Sequence, residues 1–434
     1  MKETIQALFE DFWARPLPVG IVRETRFRSV PRAAETVMGM RRAGKTWFCL
    51  QHIRALVAGG LPKEAVLHLN FEDDRLQPFV LADFQTALDV FYRLNPSFKE
   101  MRCVLFLDEV QQVPDWERFV RRVLDTENME VILTGSSSKL LSRELATTMR
   151  GRSIGMEIFP FSFKEDLASA QLPVQDPDAR GSKVRAVMEK AFLDYMERGG
   201  FPDVRGLDSD LRRQRLQGYV DSVVLRDIIE RHQVTDMLTV RALVRHLLCA
   251  PGRTFSVNKF FNGRKSQGIP CTKSQVAAHL AQFADAYLVY PVPIHTHSEA
   301  VRRVNPVKIY AVDTGLLRAF SPERSDHGPL LENMVYLHLR RHSAAVEYYI
   351  SKTGRETDFL YRHPQTGKPA LVQVCWSLAD PATRQREATA LAEAMTETGV
   401  KRATIITAFD EAPGELPTGV AITAAWRWLL RAEL

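Results

Sequence analysis

The chain has 434 residues, 45% hydrophobic and 25% charged, with a formal net charge of +6 and a pI near 9.0. That length predicts two to four domains, and that composition excludes a disordered or fibrous protein. No apolar run reaches the roughly eighteen residues of a membrane-spanning helix, so a cytoplasmic protein without a membrane partner is expected.

The first thirty residues read as an amphipathic helix followed by a basic linker. The opening MKETIQALFEDFW carries acidic residues and no apolar core, so it does not read as a secretory signal. From 35 to about 163, short apolar runs at 36–39, 66–71, 104–107 and 131–134 alternate with helix-like stretches such as 47–58 and 115–124. Strands that are apolar throughout, separated by helices, predict a parallel sheet covered on both faces. Residues 165–240 look helical and charged, broken by the turn Gly199-Gly200-Phe201-Pro202. Short helices and an apolar stretch at 287–291 fill 240–320. The remainder mixes a helix at 330–341, strands near 346–350, 357–361 and 370–375, and a helix at 383–397. The cysteines at 49, 103, 249, 271 and 375 have no paired spacing and read as reduced thiols, not as a disulfide frame or zinc site. Basic clusters at 23–28, 212–215, 302–308 and 340–341 suit solvated helix faces and phosphate contacts about equally.

One motif carries chemistry outright. Gly39-Met40-Arg41-Arg42-Ala43-Gly44-Lys45-Thr46 fits G-x-x-x-x-G-K-[ST], placed after an apolar strand and before a helix that begins near Trp47. Glycines let the backbone N–H groups turn toward phosphates, and the helix N-terminus adds its positive dipole end. Lys45 is expected on the β- and γ-phosphates and Thr46 on Mg²⁺. A second strand, 104–107, ends in Asp108 and Glu109, where Asp108 is expected to hold Mg²⁺ and Glu109 to act as general base on water. Together they predict a nucleotide triphosphatase, with ATP and GTP both open on the residues alone. The strand at 131–134 leads to Ser136, which could contact the γ-phosphate or cap the next helix. Arg150 and Arg152 could reach a neighbouring subunit as arginine fingers or lie on the surface.

These residues resemble a known family, the prokaryotic AAA+/STAND-related ATPases with a C-terminal nuclease-like domain. The resemblance runs through Phe106-Leu-Asp-Glu-Val-Gln-Gln-Val-Pro-Asp-Trp116, Leu133-Thr-Gly-Ser, Met149-Arg-Gly-Arg-Ser, Gly199-Gly-Phe-Pro202, Lys308-Ile-Tyr-Ala-Val-Asp313, Leu331-Glu-Asn333, Glu356-Thr-Asp358 and Gln373-Val-Cys375. It implies an α/β chain: a P-loop AAA+-type parallel sheet over 1–165, a helical lid over 166–240, a winged helix over 241–320, and a restriction-endonuclease-like, PD-(D/E)XK-type domain over 321–434. It also implies ATP with Mg²⁺ as cofactors, a ring-shaped homo-oligomer, DNA as partner, and Pro202 shaping the nucleotide pocket. In the middle region, 254–261 reads as a capped short helix. Residues 272–283 read as a second helix, and 286–291 and 308–310 as wing strands joined through Arg302 and Arg303. Lys273, Gln275, Arg302 and Arg303 are then the candidate DNA contacts, although winged helices also bind proteins.

In the last domain Asp358, Glu356 and Glu332 form an acidic trio suited to metal-dependent phosphodiester cleavage. The next strand should supply an acid and a lysine, yet it offers Gln373 and Cys375. Lys352, in a neighbouring turn, is a candidate substitute. The expectation is therefore a DNA-coupled Mg²⁺-dependent ATPase with a nuclease-like remnant; a STAND-type signalling switch and an ATP-regulated nuclease are the alternatives.

Overall fold

A computed structural model describes residues 1–136, 151–174, 176–323, 325–343, 345–412 and 414–431; the side chains of Arg303 and Val304 are not described. The chain forms two compact units, residues 1–159 with 285–287, and residues 160–284 with 288–434.

The first unit is built on five parallel strands: β1 (Ala34–Met38), β2 (Val66–Asn70), β3 (Cys103–Asp108), β4 (Met129–Gly135) and β5 (Ser153–Glu157), in spatial order β2-β3-β4-β1-β5. Side chains alternate across a strand, so an apolar run is sorted onto two faces. On β3, Leu105 and Leu107 join a core with Phe9, Phe84, Phe91 and Trp116, while Val104 and Phe106 join another with Val37, Phe48 and Ile53. All six residues of β3 are buried, which explains why its sequence has no polar alternation. The helix Lys2–Ala14 buries Ile5, Phe9 and Phe12 at helical spacing, and its Trp13 indole N–H donates to the Val66 carbonyl at 3.0 Å. β5 escapes the apolar pattern because it reads Ser-Ile-Gly-Met-Glu and is buried fully only at Met156.

The second unit begins with the helices Phe163–Ser169, Ser182–Arg198, Ser209–Ser222 and Met237–Cys249. Next come β6 (Thr254–Phe255), β7 (Val289–Val292) and β8 (Val307–Ala311), an antiparallel sheet ordered β6-β8-β7. Helices Val257–Ser266 and Lys273–Asp285 lie between β6 and β7 in sequence. The segment expected as one helix from 254 thus starts as a strand, and the helix begins after Ser256, whose hydroxyl accepts the Lys259 N–H. Arg302 and Arg303 lie in the connection between β7 and β8, on the short helix Glu299–Val304.

Helix Gly328–His342 then leads to a five-stranded mixed sheet of β9 (Val346–Ile350), β10 (Glu356–Arg362), β11 (Pro369–Cys375), β12 (Ala403–Thr407) and β13 (Val420–Ala424). β9, β10 and β11 are antiparallel neighbours; β11, β12 and β13 run parallel, with helix Pro381–Thr398 crossing between β11 and β12. The Gly199-Gly200 turn is a seat for Asp313. The Asp313 carboxylate accepts the Gly200 N–H at 2.6 Å and the Gly315 N–H at 2.9 Å, and a Cβ on Gly199 would fall 2.0 Å from it. Burial pushes the Asp313 carboxyl up to about 6 against those donors.

His68 of β2 sits between Phe12 and Phe106, each ring 4.7 Å away, and its buried Nε2 has no hydrogen-bond partner among the described residues. Burial holds this imidazole down at about 4, against 6.5 for the free residue. Below pH 6.5 the unfolded chain takes up a proton that the folded protein refuses until about pH 4. Stability therefore falls with pH across that window, at up to about 1.4 kcal/mol per pH unit. His68→Phe is expected to flatten this part of the stability profile, read as urea midpoints between pH 7 and 4; parallel profiles for the two proteins would refute the assignment.

Candidate nucleotide site

Parallel strands place all their carboxyl ends along one edge, and the phosphate motif emerges there from β1. Gly39 leaves β1 at φ 145°, and a Cβ on it would lie 2.2 Å from the Ile158 carbonyl oxygen, so only glycine fits. Gly44 (φ 96°) ends the loop as N-cap of helix Lys45–Ala58, which points its free N–H groups into the loop. Lys45 folds back over the loop, its Nζ 3.2 Å from the Gly39 carbonyl, 3.4 Å from that of Met40 and 3.4 Å from Glu109 Oε1. The Thr46 hydroxyl donates to Asp108 Oδ2 at 2.9 Å.

β3 is paired with β4 so that Leu107 faces Leu133, which brings Thr134 against the two acids. The Thr134 hydroxyl donates to Asp108 and accepts the Glu109 N–H at 2.9 Å. Glu109 leaves the strand in left-handed backbone conformation (φ 52°), a strain of about 1–3 kcal/mol for a residue with a side chain. Burial pushes the Asp108 carboxyl up to about 6, with the Glu109 charge adding to it and Thr134, Thr46 and Lys45 opposing. Burial would raise Glu109 as well, but Lys45, Gln111 and Arg41 outweigh it and leave this carboxyl below the ordinary glutamate value. Glu109 is thereby kept ionised, the form a base needs.

Three nearby residues were not signalled by any motif. Arg23, in the basic linker, is buried and donates to the Ala43 carbonyl at 3.2 Å and to the Phe159 carbonyl at 2.5 Å, bracing the loop against the segment that follows β5. Glu72 holds Arg41 at 2.5 Å. Thr134 was hidden because a threonine inside a strand is unremarkable without its partners. Of the other candidates, Ser136 is buried just past β4 and Trp47 is exposed on the helix. Arg152 is a surface residue paired with Asp125, and Arg150 lies outside the described residues. Pro202 belongs to the second unit, where it opens the turn Pro202–Val204.

The expected nuclease-like acids do converge, but around a cation that the sequence reading did not supply. Lys308 of β8 is almost fully buried, with Nζ 2.9 Å from Glu332, 2.6 Å from Glu356 and 2.9 Å from Asp358. Burial works against its charge, yet Asp358, Glu332 and Glu356 together hold the ammonium well above its ordinary value. Burial and the Asp358 charge raise Glu332 to about 7, while the Tyr310 hydroxyl donates to it at 2.6 Å. Gln373 accepts the Asp358 N–H at 3.1 Å and donates to Glu387 at 2.8 Å. Lys352 is exposed in a turn. This set does not fit a divalent cation: the ammonium stands where the carboxylates meet, and Gln373 and Cys375 bring neither acid nor lysine.

The proposed DNA contacts are partly engaged within the second unit. Arg302 bonds Glu347 at 2.5 Å, and the Gln275 amide oxygen accepts the Thr272 N–H at 2.8 Å; Lys273 remains exposed, 5.6 Å from the Phe261 ring.

Residues 32–167 match the family described as an AAA domain, and residues 189–327 match a domain of unknown function, DUF8612. An uncharacterized protein of Methanocaldococcus jannaschii is 29% identical over 422 residues, covering 94% of this chain and 91% of its own length. An uncharacterized protein of Haemophilus influenzae is 29% identical over 331 residues, covering 76% of this chain and 79% of its own. A Walker-type ATPase of Pyrococcus abyssi covers 70% of this chain and 99% of its own at 15% identity, with a TM-score of 0.39. The AAA-domain match lies almost wholly within the first unit, whose five-stranded parallel sheet and phosphate-type loop fit a P-loop domain of that type.

Removing one partner from a buried ionic cluster leaves uncompensated charge, at a cost of about 3–5 kcal/mol. Lys308→Met is expected to lower the unfolding free energy by that order in urea titration. Adding Glu332→Gln and Asp358→Asn should recover part of it, because the stranded carboxylates are then neutral. A Lys308→Met protein as stable as the parent would show that the cluster is not what holds β8 in place.

Proposed function

We propose that the chain is a Mg²⁺-dependent ATPase that binds DNA and couples ATP hydrolysis to DNA binding or remodelling, with branched DNA among the forms it could act on. The observation that carries the first half is the meeting of Lys45, Thr46, Asp108, Glu109 and Thr134 at one edge of the parallel sheet. The loop fits a triphosphate: its N–H groups face inward at a helix N-terminus, and the Lys45 contacts to two carbonyls are long enough to be exchanged for phosphate oxygens. Thr46 and Asp108 supply hard oxygen donors side by side, the type that Mg²⁺ takes. When bound there, Mg²⁺ supplies positive charge to the phosphoryl oxygens. Lys45 adds a second positive charge and positions the β- and γ-phosphates. Glu109, kept ionised, accepts the proton of the attacking water. Thr134 fixes the spacing of the two acids, one through its proton and the other through a backbone N–H.

Supporting the DNA half are the net charge of +6, the antiparallel three-stranded sheet, the exposed Lys273 on the helix between β6 and β7, and the mixed sheet. We read 241–320 as a winged helix following a helical lid over 166–240. The sheet of 321–434 is read as a restriction-endonuclease-like fold retained for binding, since Lys308 occupies its acids. A cytoplasmic ring of identical copies would let an arginine from one copy complete the site of the next.

The test is ATP hydrolysis by the purified chain alone and with single-stranded, duplex and four-way-junction DNA. Lys45→Ala is expected to abolish turnover and nucleotide binding. Glu109→Gln should keep binding and lose about 10²–10⁴-fold in kcat. Stimulation by DNA, absent in Lys45→Ala, is the expected result; turnover indifferent to every DNA would turn the reading toward a protein-directed STAND-type switch.

A further inference from the structure

The second unit contains a hollow that the ATPase reading does not use. It lies where helix Met237–Cys249, β6 and helix Val257–Ser266 meet, encloses about 410 Å³ and opens to solvent. Arg253, Lys259 and Arg264 stand on its wall, and no acidic residue lines it. Arg264 Nε is buried without a hydrogen-bond partner among the described residues. Cations without an acid beside them produce a net positive potential in a low-dielectric recess, which selects an anion.

The same wall presents aromatic rings. His246 lies edge-on to Phe255 at 5.8 Å and to Phe260 at 5.3 Å, and Phe255 and Phe260 are 5.9 Å apart. Phe255 is buried and forms the floor, whereas Phe260 is only partly covered and His246 is exposed. Although one side of the ring meets solvent, packing against Phe255 and Phe260 desolvates the other, which keeps the His246 imidazole below its ordinary value, so at neutral pH it offers an uncharged ring. Gly263 lines the hollow without a side chain, and a Cβ there would meet nothing within 4 Å.

A recess that joins several cations to accessible ring faces suits a phosphate attached to a planar base. A duplex hides its base faces in the stack, so only an unpaired nucleotide can present both groups at once. A free nucleotide has the same chemistry; the opening to solvent, through which a chain can enter and leave, favours a strand. We propose that this hollow binds one unpaired nucleotide of single-stranded DNA, its phosphate on Arg253, Lys259 and Arg264 and its base against His246 and Phe260. The proposal rests on the DNA half of the function given above and assigns the contact to residues other than Lys273 and Arg302.

Gly263→Leu tests it without removing any charge or core group, since leucine favours a helix and would fill the void. Binding of a short fluorescent oligothymidylate to the full chain is followed by anisotropy, beside Arg264→Ala, a duplex competitor and adenosine monophosphate. Gly263→Leu is expected to weaken strand binding by about tenfold, the order of one lost base stack, with basal ATP hydrolysis and melting temperature unchanged. Arg264→Ala should also weaken binding and lower its salt dependence, and duplex should compete poorly. If Gly263→Leu binds the strand as the parent does, the hollow is not the site, while DNA coupling stands. If adenosine monophosphate displaces the strand at equal nucleotide concentration, the hollow is a free-nucleotide pocket and the strand assignment falls. If the parent binds no DNA of any form, the functional reading itself fails.

Discussion

In the first unit, everything that bears on the nucleotide follows from strand direction. Five strands running the same way can deliver loops from their carboxyl ends only along one edge of the sheet. β1 brings the phosphate loop to that edge, β3 the two acids, and β4 the threonine that spaces them. The register of β3 on β4 then sets the distance between charges to within one residue, and a slip of one would turn Asp108 toward the opposite face. Burial of the strands on both sides forbids such a slip, because it would exchange the two apolar faces of β3.

Two buried lysines show how the same group is given opposite tasks. Lys45 has one carboxylate neighbour at 3.4 Å and two long carbonyl contacts, so its charge is under-compensated and open to a phosphate. Lys308 has three carboxylates within 2.9 Å, one from helix Gly328–His342 and two from β10, and its charge is already matched. The first is poised for a ligand that arrives from outside. The second makes an outside cation unnecessary, and with it the cleavage chemistry that such a cation would support.

The phosphate loop and its acids were legible because each motif is contiguous and its strand-to-helix setting could be read from local apolar pattern. What escaped was tertiary. Lys308 looked like one more member of a basic cluster, since Glu332 and Asp358 lie 24 and 50 residues further along the chain. Arg302 looked like a wing residue, but it sits on a helix and is held by Glu347. Arg23 belonged to a linker with no periodicity, and only the folded chain lays it beneath Ala43. β5 and β13 are short and carry Gly or Ala where a strand signal needs branched side chains, so neither stood out. The Gly199-Gly200 turn was visible as a break between helices, yet its purpose, room for the Asp313 carboxylate, depends on a residue more than a hundred positions away.

β8 has a further significance. Its Lys308 is anchored among acids of helix Gly328–His342 and β10, while the next residue, Ile309, forms part of the hollow's wall. The two side chains point to opposite faces of one extended backbone. A change in the position of β8 would therefore be felt at both the hollow and the mixed sheet. The hollow and the ionic cluster are thus one residue apart on one strand.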